Sequence, residues 1–336
     1  MKSKGFIFML LIAIVLLVTA CGTDTTTTTT TTEKKIVQIG ITQIVEHPAL
    51  DAEREGFIQA FIDAGYMKDQ DIVFDVQSAQ GDMNNNKLIA QKFAQDNKDL
   101  IFAIATPTAQ AIANETTTIP ILFGAVTDPV GAGLVKDLNK PEKNVTGSSD
   151  SYPEAIEKTM TTIKEFFPQA KSVGIIFNTG EQNSIVQVEQ AKKVLETLGL
   201  TTIEATATNS SEVKQAAESL VGRVDVFYVP LDNTAASALD SIIKVANNSR
   251  IPVIGADTDY AKKGVFAAYG VDYHALGYQT GTLALDIIKN GKKPGEIAIH
   301  FPKDGSLVIN ESAAAAQGVD IQSLPKEIVD KAQIIK

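Results

Sequence analysis

The stretch DLIFAIATPTA, Asp99 to Ala109, recurs 126 positions later as DVFYVPLDNTA, Asp225 to Ala235, without a gap. Other pairs follow in the same order. IPILFGAVTD, Ile119 to Asp128, returns as IPVIGADTD, Ile251 to Asp259, with one deletion. Gly40 in QIGI precedes Gly65 in AGY by 25 residues, and Gly174 in VGII precedes Gly199 in LGL by the same distance. One such match could arise by chance; three in one order imply two lobes of a single βα design, spanning 36–146 and 147–275.

Within each copy, short apolar runs alternate with stretches of helical period. Ile36 to Thr42 reads as a buried strand, and Leu50, Phe57, Ile58, Phe61 and Ile62 then share one helical face that Gly65 closes. Asp71 to Ala79, Leu100 to Ala105 and Ile119 to Ala125 read as further strands. The alternation predicts an α/β fold of two similar doubly wound parallel-sheet lobes. Ligands of such sheets sit beyond the carboxyl ends of the strands. Lobes facing each other by those ends enclose one cleft, lined by Gln43 to Pro48 against Asn178 to Ser184, Ala105 to Thr108 against Pro230 to Thr234, and Val126 to Pro129 against Asp257 to Asp259. Hinge closure around a ligand is the expected motion. The segment 276–336, with its strand-like IAIHF and SLVIN, is expected to cross over and return to the first lobe.

The N-terminus carries a different message. Lys2 and Lys4 precede an uncharged apolar run, Phe6 to Ala20, that ends in small residues, the layout of a secretory signal over 1–20. The run is shorter than the roughly 17–25 residues that cross a bilayer. Cys21, the only cysteine, follows at once in a Val18-Thr19-Ala20-Cys21 sequence that resembles a bacterial lipobox, so it is the expected site of lipidation. Eight consecutive threonines then make 21–35 a polar tether with no fold of its own.

Composition narrows the function. Apolar residues make up 44% and charged ones 21%, which fits a body with a real core. A net charge of −10 argues against a nucleic acid partner. His47, His274 and His300 lie far apart with no partner cysteines, so no metal site and no cofactor is expected. No Gly-x-Ser-x-Gly elbow, Walker loop or dinucleotide glycine fingerprint is present, and the chain reads as a binder rather than an enzyme.

The cleft loops carry the candidate contacts. Thr106-Pro107-Thr108 opens a helix, where free N–H groups and the helix dipole suit a carboxylate. Glu46, Asp128, Glu181, Asp232, Asp257 and Asp272 offer carboxylates; each alone is also an ordinary cap or turn residue. Together they suit a ligand ammonium. Asp257 leads, because its equivalent in the first copy is Val126, and Asp272 is the alternative. Gln43, Thr127, Asn178, Asn183, Ser184 and Asn233 add neutral hydrogen-bonding groups, while Phe177, Tyr269 and Tyr273 could cover an aromatic moiety or pack the lobe interface.

At ITQIVEHPALDAEREGF, GDMNNNKLIAQKFAQD, DLIFAIATPTAQAIA, VTDPVGAGLV, EQNSIVQVEQAKK, VPLDNTAASAL and AAYGVDYHALGYQTG, the chain resembles the substrate-binding lipoproteins of ABC transporters assigned to tryptophan and tyrosine uptake. The match covers essentially all of the body. The resemblance implies a type I periplasmic-binding-protein fold, a permease and an ATPase as partners, and a monomeric, lipid-anchored receptor outside the cytoplasm for an aromatic amino acid. A sugar or nucleoside receptor, and a ligand-binding sensor on the same fold, are the alternatives; the absence of Trp weakens the sugar reading.

Overall fold

The computed structural model describes residues 35–152 and 154–336; the expected signal, Cys21 and the threonine run lie outside the described residues. Two sheets organise the chain. The first holds β1 (Val37–Gln43), β2 (Ile72–Ser78), β3 (Leu100–Ile104), β4 (Ile121–Gly124) and β5 (Val145–Gly147) in the order β2-β1-β3-β4-β5, all parallel. Its crossovers are α1 (Pro48–Asp63), α2 (Met83–Gln95) and α3 (Thr106–Glu115). Successive side chains of a strand point to opposite faces. Leu100, Phe102 and Ile104 of β3 accordingly enter one core while Ile101 and Ala103 enter another, which is why this strand reads as an unbroken apolar run.

The second lobe repeats the arrangement. After α4 (Ala155–Phe166) come β6 (Ser172–Phe177), α5 (Gln182–Thr197), β7 (Thr201–Thr206), α6 (Val213–Leu220), β8 (Val226–Val229), α7 (Asn233–Ser237), α8 (Leu239–Ser249), β9 (Val253–Gly255), α9 (Thr258–Lys263) and β10 (Ala267–Gly270). The order β10-β9-β8-β6-β7 is that of the first sheet, strand for strand. Asp99 and Asp225, the first residues of the repeated stretch, play one role: each accepts a backbone N–H from the neighbouring strand or its approach, Gln38 in one lobe and Ser172 in the other.

The last part of the chain departs from expectation. α10 (Tyr273–Asn290) does return to the first lobe and packs along α1. Glycines on both helices permit the approach: a side chain at Gly56 would strike the backbone of His274, and one at Gly277 the carbonyl of Glu53. IAIHF forms no strand, and only His300 bridges Ser148 beside β5. From Ser306 the chain rejoins the second sheet, β11 (Ser306–Asn310) antiparallel to β10, and after α11 (Glu311–Ala316) and α12 (Lys326–Val329), β12 (Gln333–Ile335) parallel to β11. The reading of 276–336 as a return to the first lobe is therefore corrected from residue 306 onward. The reason is an open edge: Leu307 to Asn310 are buried by covering β10, whose backbone would otherwise be unpaired. One face of α1 is also corrected. Leu50, Phe57 and Phe61 are buried, whereas Ile62 faces solvent, because the second buried stripe of Glu53, Gly56 and Ala60 turns toward α10.

Candidate ligand-binding site

Residues 36–336 form one compact unit, and the strand ends of the two sheets meet across a cleft within it. His47 and Leu50 at the start of α1, Ala125 and Thr127 after β4, and Asp150 after β5 face Asn183, Leu231, Asp232 and Asn233, with Asp257 and Tyr260 around the start of α9 and Tyr273 of α10. The cavity between them is narrow, about 20 Å³. A wider outer recess of about 720 Å³, open solvent included, shares His47, Asp257 and Tyr260 with it.

The inner wall is rich in acceptors and has neither Lys nor Arg. Asp257 caps α9 by accepting the Asp259 N–H at 2.9 Å; burial, and then the Asp259 carboxylate, push its carboxyl up to about 8. Asp150 accepts the Tyr273 hydroxyl on Oδ2 at 3.2 Å, and its other oxygen is buried without a partner. Burial pushes this carboxyl up to about 6. Asn183 donates through Nδ2 to the Leu231 carbonyl at 2.9 Å, leaving Oδ1 buried and unpaired. Buried acceptors without donors are costly. Asp150, in the crossing after β5, and Asn183, on α5 of the second lobe, both border the cleft, where a donor-rich group would answer these open acceptors.

Other expected contacts serve the scaffold. Asp232 lines the cavity, but its oxygens accept the Asn178 and Ala235 N–H groups at 2.6 Å each. Burial, and then neighbouring Glu181, raise its carboxyl. Glu181 itself binds Asn233 and Thr234 through backbone and side chain, tying the loop after β6 to the loop after β8. Asn178 holds Thr234 and the turn at Gly180, and Ser184 sits fully buried beside Asn183. Gln43 is fully buried in a knot with Val45, Asp51 and Arg54. Asp128 accepts the Gly131 N–H in a turn, and Glu46 is exposed at the outer recess.

Three expectations are corrected outright. Asp272 is an exposed cap that accepts the Ala275 N–H, too far out on α10 to be a buried partner. Tyr269 lies behind the cleft against Tyr152, with its hydroxyl on Asp304, and so belongs to the lobe crossing. Thr106 is the first residue inside α3 and Ala105, at φ 78°, the cap; the hydroxyls of Thr106 and Thr108 are buried and unpaired but line neither cavity. Sequence reasoning missed Asp150, Tyr260 and the cleft position of Leu50, and it placed His47 and Leu231 in cleft loops without giving either a contact. The signal for Tyr260 was the repeat, which carries the Asp257–Asp259 loop directly into it. Asp150 had none, since it follows β5 in a crossing that no repeat marks.

Residues 38–333 match the family described as ABC transporter substrate binding protein. The chain belongs to that family. This substrate-binding protein is 45% identical over 291 residues to the tyrosine-binding protein of Clostridioides difficile, covering 87% of this chain and 83% of that one. Among solved structures it is similar to an ABC domain from Streptococcus pneumonia in complex with L-Trp, at 32% identity and TM-score 0.82, over 88% of this chain and 100% of that one. It is also similar to a ligand-free, open substrate-binding protein with adhesive properties from Clostridium difficile, at 44% identity but TM-score 0.65, over 90% and 99%. More distant two-lobed binding proteins, below 25% identity, share the type I periplasmic-binding-protein fold alone. Among the described residues of the substrate-binding protein, no three His, Cys, Asp or Glu could hold a metal ion, and no helix is long and apolar enough to cross a membrane.

Proposed function

We propose that this substrate-binding protein captures an aromatic amino acid in the interlobe cleft and delivers it to an ABC permease and ATPase. The observation that carries the reading is the wall of buried acceptors, Asp150, Asn183 and Asp257, with no protein cation among them. An ammonium group supplies donors and positive charge together. A sugar supplies only neutral hydroxyls and leaves the carboxyls unbalanced. Tyr260, Tyr273, Leu50 and Leu231 offer the ring an apolar bed.

Closure belongs to the same reading. Similarity is higher to the L-Trp complex than to the open, ligand-free relative, although the latter is closer in sequence. Two rigid lobes hinged at the crossings after β5, after β10 and before β11 give that ordering if this structure is the closed state. The protein binds its solute without turning it over, works outside the cytoplasm as a monomer, and is held there by a lipid on Cys21.

Titration calorimetry with L-tyrosine, L-tryptophan, L-leucine and D-glucose, paired with small-angle scattering, tests the proposal. Aromatic amino acids should bind tightest and shrink the radius of gyration. Tighter binding of glucose, or saturation with no change in the scattering curve, would sink it.

A further inference from the structure

We propose that the ligand carboxylate sits at the N-terminus of α1, on the N–H groups of Ala49 and Leu50 and the imidazole of His47, rather than at the Thr106 to Thr108 turn. This rests on the amino acid reading above and adds the other end of the zwitterion to it. α1 runs 16 residues from Pro48, and its first-turn N–H groups have no intrahelical acceptor. The side chain at the cap position is that of His47, and it makes no capping bond, so the donors of Ala49 and Leu50 remain open. Asp or Ser would have occupied them there.

A second observation points to the same place. His47 is buried in the cleft wall; its ring is hydrogen-bonded to the Asn233 side chain of the opposite lobe, and Nδ1 has no partner. Burial keeps the ring neutral, with one N–H and one acceptor; the seat uses the tautomer in which Nε2 accepts from the Asn233 side chain and the N–H is on the open Nδ1. The acidic residue of the first turn does not compete, because Asp51 is bound by Arg54 and Gln43, both at 2.9 Å. The α1 N-terminus therefore opens on the cleft with one first-turn carboxylate, Asp51, already held by Arg54, and with Asp259 close enough to act on the charge of His47. His47 and Asp257 border both the inner cavity and the outer recess, which sets a carboxylate seat beside an ammonium seat as an amino acid requires. Thr106 and Thr108 border neither.

The test is calorimetry on wild type, His47→Ala, His47→Asn and Thr106→Val, each with L-tyrosine and with tyramine, which lacks the carboxylate. A lost hydrogen bond to a charged group predicts about ten- to a hundredfold weaker L-tyrosine binding by His47→Ala, less than about threefold for tyramine, and no change in either for Thr106→Val. His47→Asn guards against misfolding: a good cap occupies the α1 donors, so the helix should be at least as stable while L-tyrosine binding is still lost. Equal losses for both ligands in the His47 variants, or a carboxylate-dependent loss in Thr106→Val, would overturn the seat. Wild type that binds neither ligand would instead refute the amino acid reading on which it stands.

Discussion

Asp257→Asn separates charge from shape in the cleft. Asn is as good a cap as Asp, so the bond to the Asp259 N–H and the start of α9 survive the change. What disappears is the negative charge opposite the ligand ammonium. A hydrogen bond to a charged group contributes about 1.5–3 kcal/mol, and a tenfold change in affinity corresponds to about 1.4 kcal/mol, so L-tyrosine binding should weaken about ten- to a hundredfold. A second effect has the opposite sign. Closing the empty cleft buries this carboxylate beside Asp259 with no ammonium to balance it, as its upward shift to about 8 records, and the amide removes that cost. The ligand-free variant should therefore close more often. Calorimetry with L-tyrosine and with 4-hydroxyphenylpropionate, which has no amino group, gives the first readout, and scattering of the ligand-free proteins the second. Equal losses for both ligands, with an unchanged radius of gyration, would refute the assignment.

Glu53 is fully buried on α1 with both carboxylate oxygens unpaired, and burial followed by the Asp150 charge raises its carboxyl well above the ordinary range. The folded state then holds a proton that the unfolded chain releases, so stability is full below the unfolded value and falls as pH rises from there through the folded one; Glu53→Gln should flatten that fall in thermal melts. Gly277→Ala would push a methyl into the carbonyl of Glu53 and should cost about 1–3 kcal/mol by overpacking in denaturant unfolding, despite the higher helix propensity of Ala. Cys21→Ser should shift the protein from the membrane fraction to the soluble fraction with ligand affinity unchanged, and retention without detergent would exclude the lipid anchor.

The two-lobe plan was legible because strand and crossover spacing is written locally and then repeated, so Asp99 and Asp225 could be paired before any contact was known. Placing Asp257, Asn183, Asn233 and Thr127 at strand ends needed only the rule for where ligands sit. The division of labour among those polar residues was not legible. Glu181 and Asp257 look alike in sequence, yet one is surrounded by donors from a loop some 50 residues away and the other takes a single N–H and borders the cleft. That difference depends on three-dimensional neighbours. β11 was misplaced for a related reason: an apolar run states that it will be buried, and not which open edge it will cover.

The packing of α10 on α1 also sets the order in which the chain can assemble. Gly56 and Gly277 are 221 positions apart, so the helix pair that completes the first lobe joins the beginning of the chain to a segment made after nearly all of the second. The stretch from α4 to β10 contains the five parallel strands of the second lobe in one continuous run and depends on no such distant partner for them. Closing a loop of that length precedes any reward from the α1–α10 contact, which slows its formation. During synthesis or export from the N-terminus, the lobe that emerges first thus stays incomplete until α10 arrives, and until then the flank of α1 that carries Gly56 has no helix against it.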